Sequence, residues 1–134
     1  MAELSAIVVT HNSADVVAGC LEAAVACCDE VIVVDNASSD ETVARTRAFP
    51  GARLIANREN LGFAGAVNQG VRYSRHAVVL VMNPDVVLRN DPQPLVLACR
   101  EPGYAAAAGM LVDSDGLPQR GFSIRRLPTA WSLA

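Results

Sequence analysis

Lysine is absent: all eleven basic residues of this 134-residue chain are arginine. Without it there is no Schiff-base chemistry and no P-loop lysine, and we read the bias as the codon usage of a GC-rich bacterial genome. Aromatic residues make up only 4% of a chain that is 51% apolar, so the core must be built from closely packed Ala, Val and Leu. No apolar run approaches the ~20 residues that span a bilayer. The polar Glu3 leads straight into a strand-like run, without the charged and apolar regions of a signal peptide; the expected location is cytosolic. Cys20, Cys27, Cys28 and Cys99 show no C-x-x-C spacing and no neighbouring histidines, so neither a zinc site nor a redox motif is supported. They read as buried free thiols. Net charge is −3, with no basic run interleaved with aromatics, which excludes a nucleic-acid footprint; Arg125-Arg126 is too small a cluster to alter that. There is no internal repeat and no low-complexity linker, and the length suits one core, hence one domain over 1–134.

What is present begins with Val31-Ile32-Val33-Val34-Asp35. Four apolar residues without polar alternation suit a strand buried on both faces of a parallel sheet, and Asp35 then stands at its carboxyl end, where open α/β sheets bind ligands. Ser38 and Glu41 fit a capping box opening the next helix. Val78-Val79-Leu80-Val81-Met82 repeats the arrangement and ends in Asn83-Pro84-Asp85. Either aspartate alone reads equally well as a turn former; two of them ending two core strands point to a site.

Further strand-like runs occur at Ala6 to Thr10, Arg53 to Ala56 and Ala105 to Met110. Between the first four, Asp15 to Cys27 (with Asn12 or Ser13 as N-cap) and Leu61 to Ser74 carry helical apolar stripes. This alternation predicts βαβ units and a mainly parallel sheet in spatial order 3-2-1-4. Asp91-Pro92 predicts a helix running to about Arg100. Asp113-Ser114-Asp115-Gly116 reads as a turn between short strands, since the distal glutamate of a calcium loop is missing. Gly62, Gly65 and Gly70 serve either close packing of a helix or close approach to a phosphate. His11 and His76 read as bystanders, His11 lining the crevice and His76 at a helix end.

Thr10, Asp35 and Asp85 thus end three neighbouring strands around one crevice. Thr10 offers a hydroxyl and Asp35 a carboxylate to a base or ribose, while Asp85 is a hard oxygen donor suited to Mg²⁺ or Mn²⁺ held with phosphates. Thr10-His11-Asn12-Ser13-Ala14 replaces G-x-G-x-x-G after the first strand, which argues against a nicotinamide cofactor.

Four segments, Val8 to Asn12, Val33 to Asp40, Asn57 to Gly70 and Met82 to Val86, together resemble the N-terminal half of family 2 glycosyltransferases, and among these the bacterial rhamnosyltransferase-like members. The resemblance implies a GT-A (Rossmann-like) nucleotide-diphospho-sugar transferase fold and inverting transfer of a sugar, rhamnose by that similarity, from a UDP- or dTDP-linked donor to a glycan or lipid-linked acceptor. It implies that Thr10, Asn12 and Asp35 hold the nucleoside and that the Asn60 to Asn68 stretch, with Gly62, lines the nucleotide and diphosphate. Asn83-Pro84-Asp85 stands in the place of the family's D-x-D, with Asp85 as metal ligand. Asn83 departs from that pattern: an amide removes one charge from the metal site but still accepts from a ribose hydroxyl. A role at the inner membrane face in polysaccharide biosynthesis follows from the same likeness, with peripheral association of the full-length protein.

An inverting transfer needs a general base, which in this family comes from an acidic motif well downstream. A solvent-facing turn explains Asp113 and Asp115, so no catalytic residue is assigned. The apolar segment Pro128 to Ala134 reads as a cut within a larger protein, and the surface so exposed predicts homodimers or aggregation. Two readings stand: the donor-binding half of an enzyme, or a non-catalytic nucleotide-sugar-binding module acting with a partner chain. A nucleotidyltransferase is a weaker third, lacking the glycine-rich loop.

Overall fold

The computed structural model describes residues 3–119; Arg125, Arg126 and the segment from Pro128 lie outside them. Eight elements alternate: β1 (Leu4–Thr10), α1 (Val17–Cys27), β2 (Glu30–Asp35), α2 (Thr42–Arg47), β3 (Ala52–Ala56), α3 (Gly62–Tyr73), β4 (Val78–Met82) and α4 (Gln93–Arg100). The sheet is parallel throughout in the order β3-β2-β1-β4, the order expected of right-handed crossovers on both faces.

Period-two alternation splits the central strands between two cores. Ala6, Val8, Val31 and Val33 meet Val17, Cys20, Leu21 and Ala24 of α1, whereas Ile7, Val9, Ile32 and Val34 meet Ala66 of α3. Every residue of β1 and β2 is buried, as strands covered on both faces require.

The same expectation fails for β4. Val78, Val79 and Leu80 are half-buried and Val81 is exposed, because β4 pairs with β1 alone and forms an edge among the described residues. Nor is Ala105 to Met110 a strand; these residues have no regular structure and are exposed. Only a single antiparallel bridge, Val112 to Pro118, flanks the turn at Asp113 to Gly116, whose Asp113 carboxylate accepts the amides of Asp115 and Leu117.

Both local capping expectations are also corrected. Ser38 does not cap α2: its hydroxyl donates to Asp35, and Asp40 instead takes the amide and hydroxyl of Thr42. Glu41 pairs with Arg45 at 3.0 Å. Helix α1 begins two residues later than expected, with the Ser13 carbonyl, not a side chain, accepting the amides of Val16 and Val17. Asp91 does accept from the Gln93 amide at 2.8 Å, one residue ahead of the Pro92 N-cap of α4.

Of the α3 glycines, Gly70 answers to packing. A methyl group there would lie 2.6 Å from Cγ2 of the buried Ile7, so α3 sits closer to β1 than any side chain allows. Gly70→Ala is expected to destabilise by about 1–2 kcal/mol, overpacking outweighing the gain in helix propensity. The urea midpoint should fall with unchanged slope.

Glu30 anchors the amino end of the sheet. Its buried carboxylate accepts the Ser5 hydroxyl at 2.6 Å and both the amide and Nε of Arg75 at 2.9 Å. Burial alone pushes its pKa up, but these bonds and the Arg75 charge together leave it lowered. A lowered folded value stabilises above the unfolded value of about 4.3 and is lost as pH falls through the folded one. Glu30→Gln should therefore flatten the acid limb of a stability-pH curve below that point. A wild-type slope retained in full contradicts the assignment.

Candidate functional site at the carboxyl ends of the strands

Register sets the site. Thr10 is level with Asp35, and Asp35 with Ala56, so three strands end in one line. Met82 is level with Val8, so Asn83 to Asp85 leave the sheet beside the last residues of β1.

Asp35 is buried at 1% exposure and is held by three donors. Oδ1 accepts the Thr10 hydroxyl at 2.8 Å and the Ser38 hydroxyl at 2.5 Å, and Oδ2 accepts the Ser38 amide at 2.9 Å. A carboxylate has about four acceptor positions, so the one left for a ligand is on Oδ2. Thr10 is fully buried and its hydroxyl proton is spent on Asp35; it orients the carboxylate.

Asn12 is likewise engaged with protein. Its backbone is left-handed at φ 49°, and so is Ala37 across from it at φ 57°. The Asn12 amide donates to Ser38 Oγ, and its Oδ1 accepts the Ser39 amide at 2.8 Å. Ser13 and Ala14 amides donate to Thr42 and Asp40. These contacts tie the loop after β1 to the loop after β2. The Thr42 hydroxyl chiefly, then the Thr42 and Ala14 amides, lower the Asp40 carboxyl below its ordinary value against the opposing effect of burial.

On the third side, Asn60 Oδ1 accepts the Gly62 amide at 2.8 Å and is exposed, as are Gly62 and Asn68 on the first turns of α3. Gly62 adopts φ +72° with open space around it; here backbone conformation, not crowding, favours glycine.

Asn83 and Asp85 are exposed. The Asn83 carbonyl accepts the Val86 amide and lies 3.6 Å from the Cys20 sulfur, which ties the Asn83-Pro84-Asp85 turn to α1. Burial, reinforced by the nearby Asp85 charge, pushes the Cys20 thiol up to about 11, and burial first, then neighbouring charges, pushes Cys28 to about 11. Both stay protonated near neutrality, and all four cysteines are free.

No group of three or more His, Cys, Asp or Glu able to hold a metal occurs among the described residues. The donor set is one exposed carboxylate with an amide beside it. That suits a hard cation completed by phosphates and water, as Mg²⁺ is commonly held, and not a protein cage.

Sequence reasoning assigned no role to Asn36, Asn57 and Gln69. The Asn36 side chain is buried, with Nδ2 donating to the Gly62 carbonyl at 3.2 Å and Oδ1 accepting from Leu61. Asn57 and Gln69 exchange paired amide bonds at 2.8 and 2.9 Å. An amide directly after a strand-end carboxylate was the available signal. His11 is exposed just past the end of β1, its Nδ1 2.8 Å from the Asn36 carbonyl, a bond that the tautomer with the proton on Nδ1 donates. His76 lies beyond α3, 3.4 Å from Glu3.

A concavity of about 390 Å³ opens at the opposite end of the sheet, among Asp29, Glu30, Arg53 and Arg75. Glu30 and Arg75 there form an ion pair at 2.9 Å, and the concavity faces the amino ends of the strands. The carboxyl-end crevice is the better candidate because strand ends and loops converge there.

Comparison with known proteins agrees with this geometry. The sequence pattern of the family described as Glycosyl transferase family 2 matches residues 5–129. The chain is 34% identical to succinoglycan biosynthesis protein ExoO of Rhizobium meliloti (strain 1021), over 94% of this chain and 39% of that protein. It is 28% identical to the low-salt glycan biosynthesis hexosyltransferase Agl10 of Haloferax volcanii, over 87% of this chain and 39% of the relative. The chain thus spans about two fifths of the length of these curated relatives. Among solved structures, the mannosyltransferase PcManGT of Pyrobaculum calidifontis, in complex with GDP-Man and Mn²⁺, superimposes with a TM-score of 0.67 at 24% identity, over 75% of this chain and 33% of that one. S. aureus TarS in complex with UDP gives 0.60 at 24%, over 72% and 31%. These likenesses establish the GT-A fold, and with the family pattern running through β1, β2, α3 and β4 the chain belongs to glycosyl transferase family 2.

Proposed function

We propose that this chain is the donor-binding half of an inverting glycosyltransferase that moves a sugar from a nucleotide diphosphate to a glycan or lipid-linked hydroxyl. The observation that carries the reading is the pairing of two strand-end acids in opposite states. Asp35 is buried and held by three donors, whereas Asp85 is exposed with no hydrogen-bond partner among the described residues. The first suits a fixed contact to the nucleoside through Oδ2. The second suits a cation that arrives with the phosphates.

Thr10 and Asn12 act by holding Asp35 and its loop; Asn60, Gly62 and Asn68 border the diphosphate, and Asn83 reaches the ribose. A bound Mg²⁺ or Mn²⁺ would neutralise charge developing on the diphosphate leaving group. The motif resemblance favours rhamnose as the sugar, while Agl10 is a hexosyltransferase and the structural neighbours PcManGT and TarS hold GDP-Man and UDP. No helix among the described residues is long and apolar enough to cross a membrane.

Thermal shift against dTDP-rhamnose, UDP-glucose and GDP-mannose, each with Mn²⁺, tests the reading. One donor should raise the melting temperature by several degrees, as mass action requires of a ligand well above its Kd. Equal and negligible shifts for all three contradict it. Sugar transfer by this chain alone contradicts the reading that it binds the donor without supplying the general base.

A further inference from the structure

Asn36 follows the nucleoside-side carboxylate directly, yet its side chain turns to a different part of the crevice. Its backbone amide donates to the Thr10 carbonyl at 2.8 Å and its carbonyl takes His11 Nδ1 at 2.8 Å. The side-chain amide meanwhile spans the gap to α3. Nδ2 donates to the Gly62 carbonyl at 3.2 Å, and Oδ1 accepts the Leu61 amide at 3.3 Å and Asn57 Nδ2 at 3.4 Å.

One residue, 2% exposed, therefore joins the end of β1, the connection after β3 and the first turn of α3. An amide suits the place because it must donate and accept at once. A carboxylate has no proton for the Gly62 carbonyl, and an aliphatic side chain makes neither this contact nor the one to the Leu61 amide. Asn57 and Gln69 brace the same junction from the α3 side through their reciprocal pair. Helix α3 has no side-chain cap of its own at Leu61, so its first turn takes its position from Asn36 and from the Asn60 contact to Gly62.

We propose that Asn36 is a positioning residue that locks the first turn of α3 at a fixed distance from Asp35, so that nucleoside and diphosphate are gripped in register. It rests on the proposed function, in which α3's first turn borders the diphosphate. The consequence is selective: loosening the lock should cost affinity for the diphosphate and spare that for the nucleoside, because Asp35 keeps its three donors.

The test combines two measurements on wild type, Asn36→Leu and Asn36→Asp. Amide hydrogen exchange without ligand should speed up at least tenfold at 61–64 in both variants while β1 and β2 remain protected. Calorimetric titration with nucleoside and with its diphosphate, using the base selected by thermal shift, should show nucleoside affinity within about twofold of wild type and diphosphate affinity down about tenfold. Asn36→Leu introduces no charge, so its loss is not electrostatic repulsion. Unchanged exchange at 61–64 overturns the lock. Faster exchange with both ligands weakened equally, or neither weakened, overturns the coupling to diphosphate. A wild-type chain that binds no nucleotide overturns the proposed function and with it the coupling, while the exchange result still decides the lock.

Discussion

Asp35→Ala should weaken nucleoside and nucleoside diphosphate alike, by roughly ten- to a hundredfold, the worth of a hydrogen bond to a buried charge. The loss does not depend on metal, because β1 lies between the strand that Asp35 ends and the one that leads into the Asn83 to Asp85 turn. Stability should fall as well. The substitution leaves the buried Thr10 hydroxyl and the Ser38 amide without their acceptor, at a cost of about 1–3 kcal/mol. Thr10→Val separates the two effects: it removes a donor to Asp35 while leaving the carboxylate and its Oδ2 in place. Stability should drop in Thr10→Val with a smaller loss of affinity than in Asp35→Ala. Equal affinity losses in the two variants would mean that Asp35 acts only through the fold.

Asp85→Ala should do the opposite. The side chain is exposed and without a hydrogen-bond partner among the described residues, so stability should stay within about 0.5 kcal/mol of wild type. Affinity for the diphosphate should become independent of Mn²⁺, falling to the level that wild type shows with chelator. Nucleoside affinity should not change. Titration with UDP and dTDP, with metal and with chelator, reads all three quantities, and metal dependence surviving intact in Asp85→Ala refutes the ligand assignment.

The contrast between these acids was half legible in the sequence. Val31 to Val34 carries four apolar residues in a row, which suits a strand covered on both faces, and β2 is buried throughout. Alternation of strands with striped helices then gives the order β3-β2-β1-β4 and brings Thr10, Asp35 and the Asn83 to Asp85 turn to one end. Most of what escaped was set by contacts between residues 25 to 29 apart, and one part by a local contact to a carboxylate whose burial the pattern does not show. Ser38 has the local pattern of a cap, but the buried Asp35 carboxylate offers it a charge-assisted bond and wins. Asn12 has the pattern of an N-cap, yet Ser39 claims its oxygen. Thr10 reads as a free hydroxyl until its partner in the register is known. Val78 to Met82 looks as buried as β2, since an apolar run does not reveal whether a strand has neighbours on both sides. Asn36 stood in the quoted motif, but its task depends on where α3 begins in space.

Location of the site is the central claim, and paramagnetic broadening by Mn²⁺ tests it most directly. β1 is seven residues long, about 20 Å from end to end, which separates the carboxyl-end crevice from the concavity at Glu30 and Arg75. Amide signals should be recorded with nucleoside diphosphate and substoichiometric Mn²⁺. Broadening centred on 83–86, reaching Thr10 to Asn12 and absent at 29–31 and 51–53, is the predicted result. Broadening centred on Glu30, Arg53 and Arg75 would contradict the account.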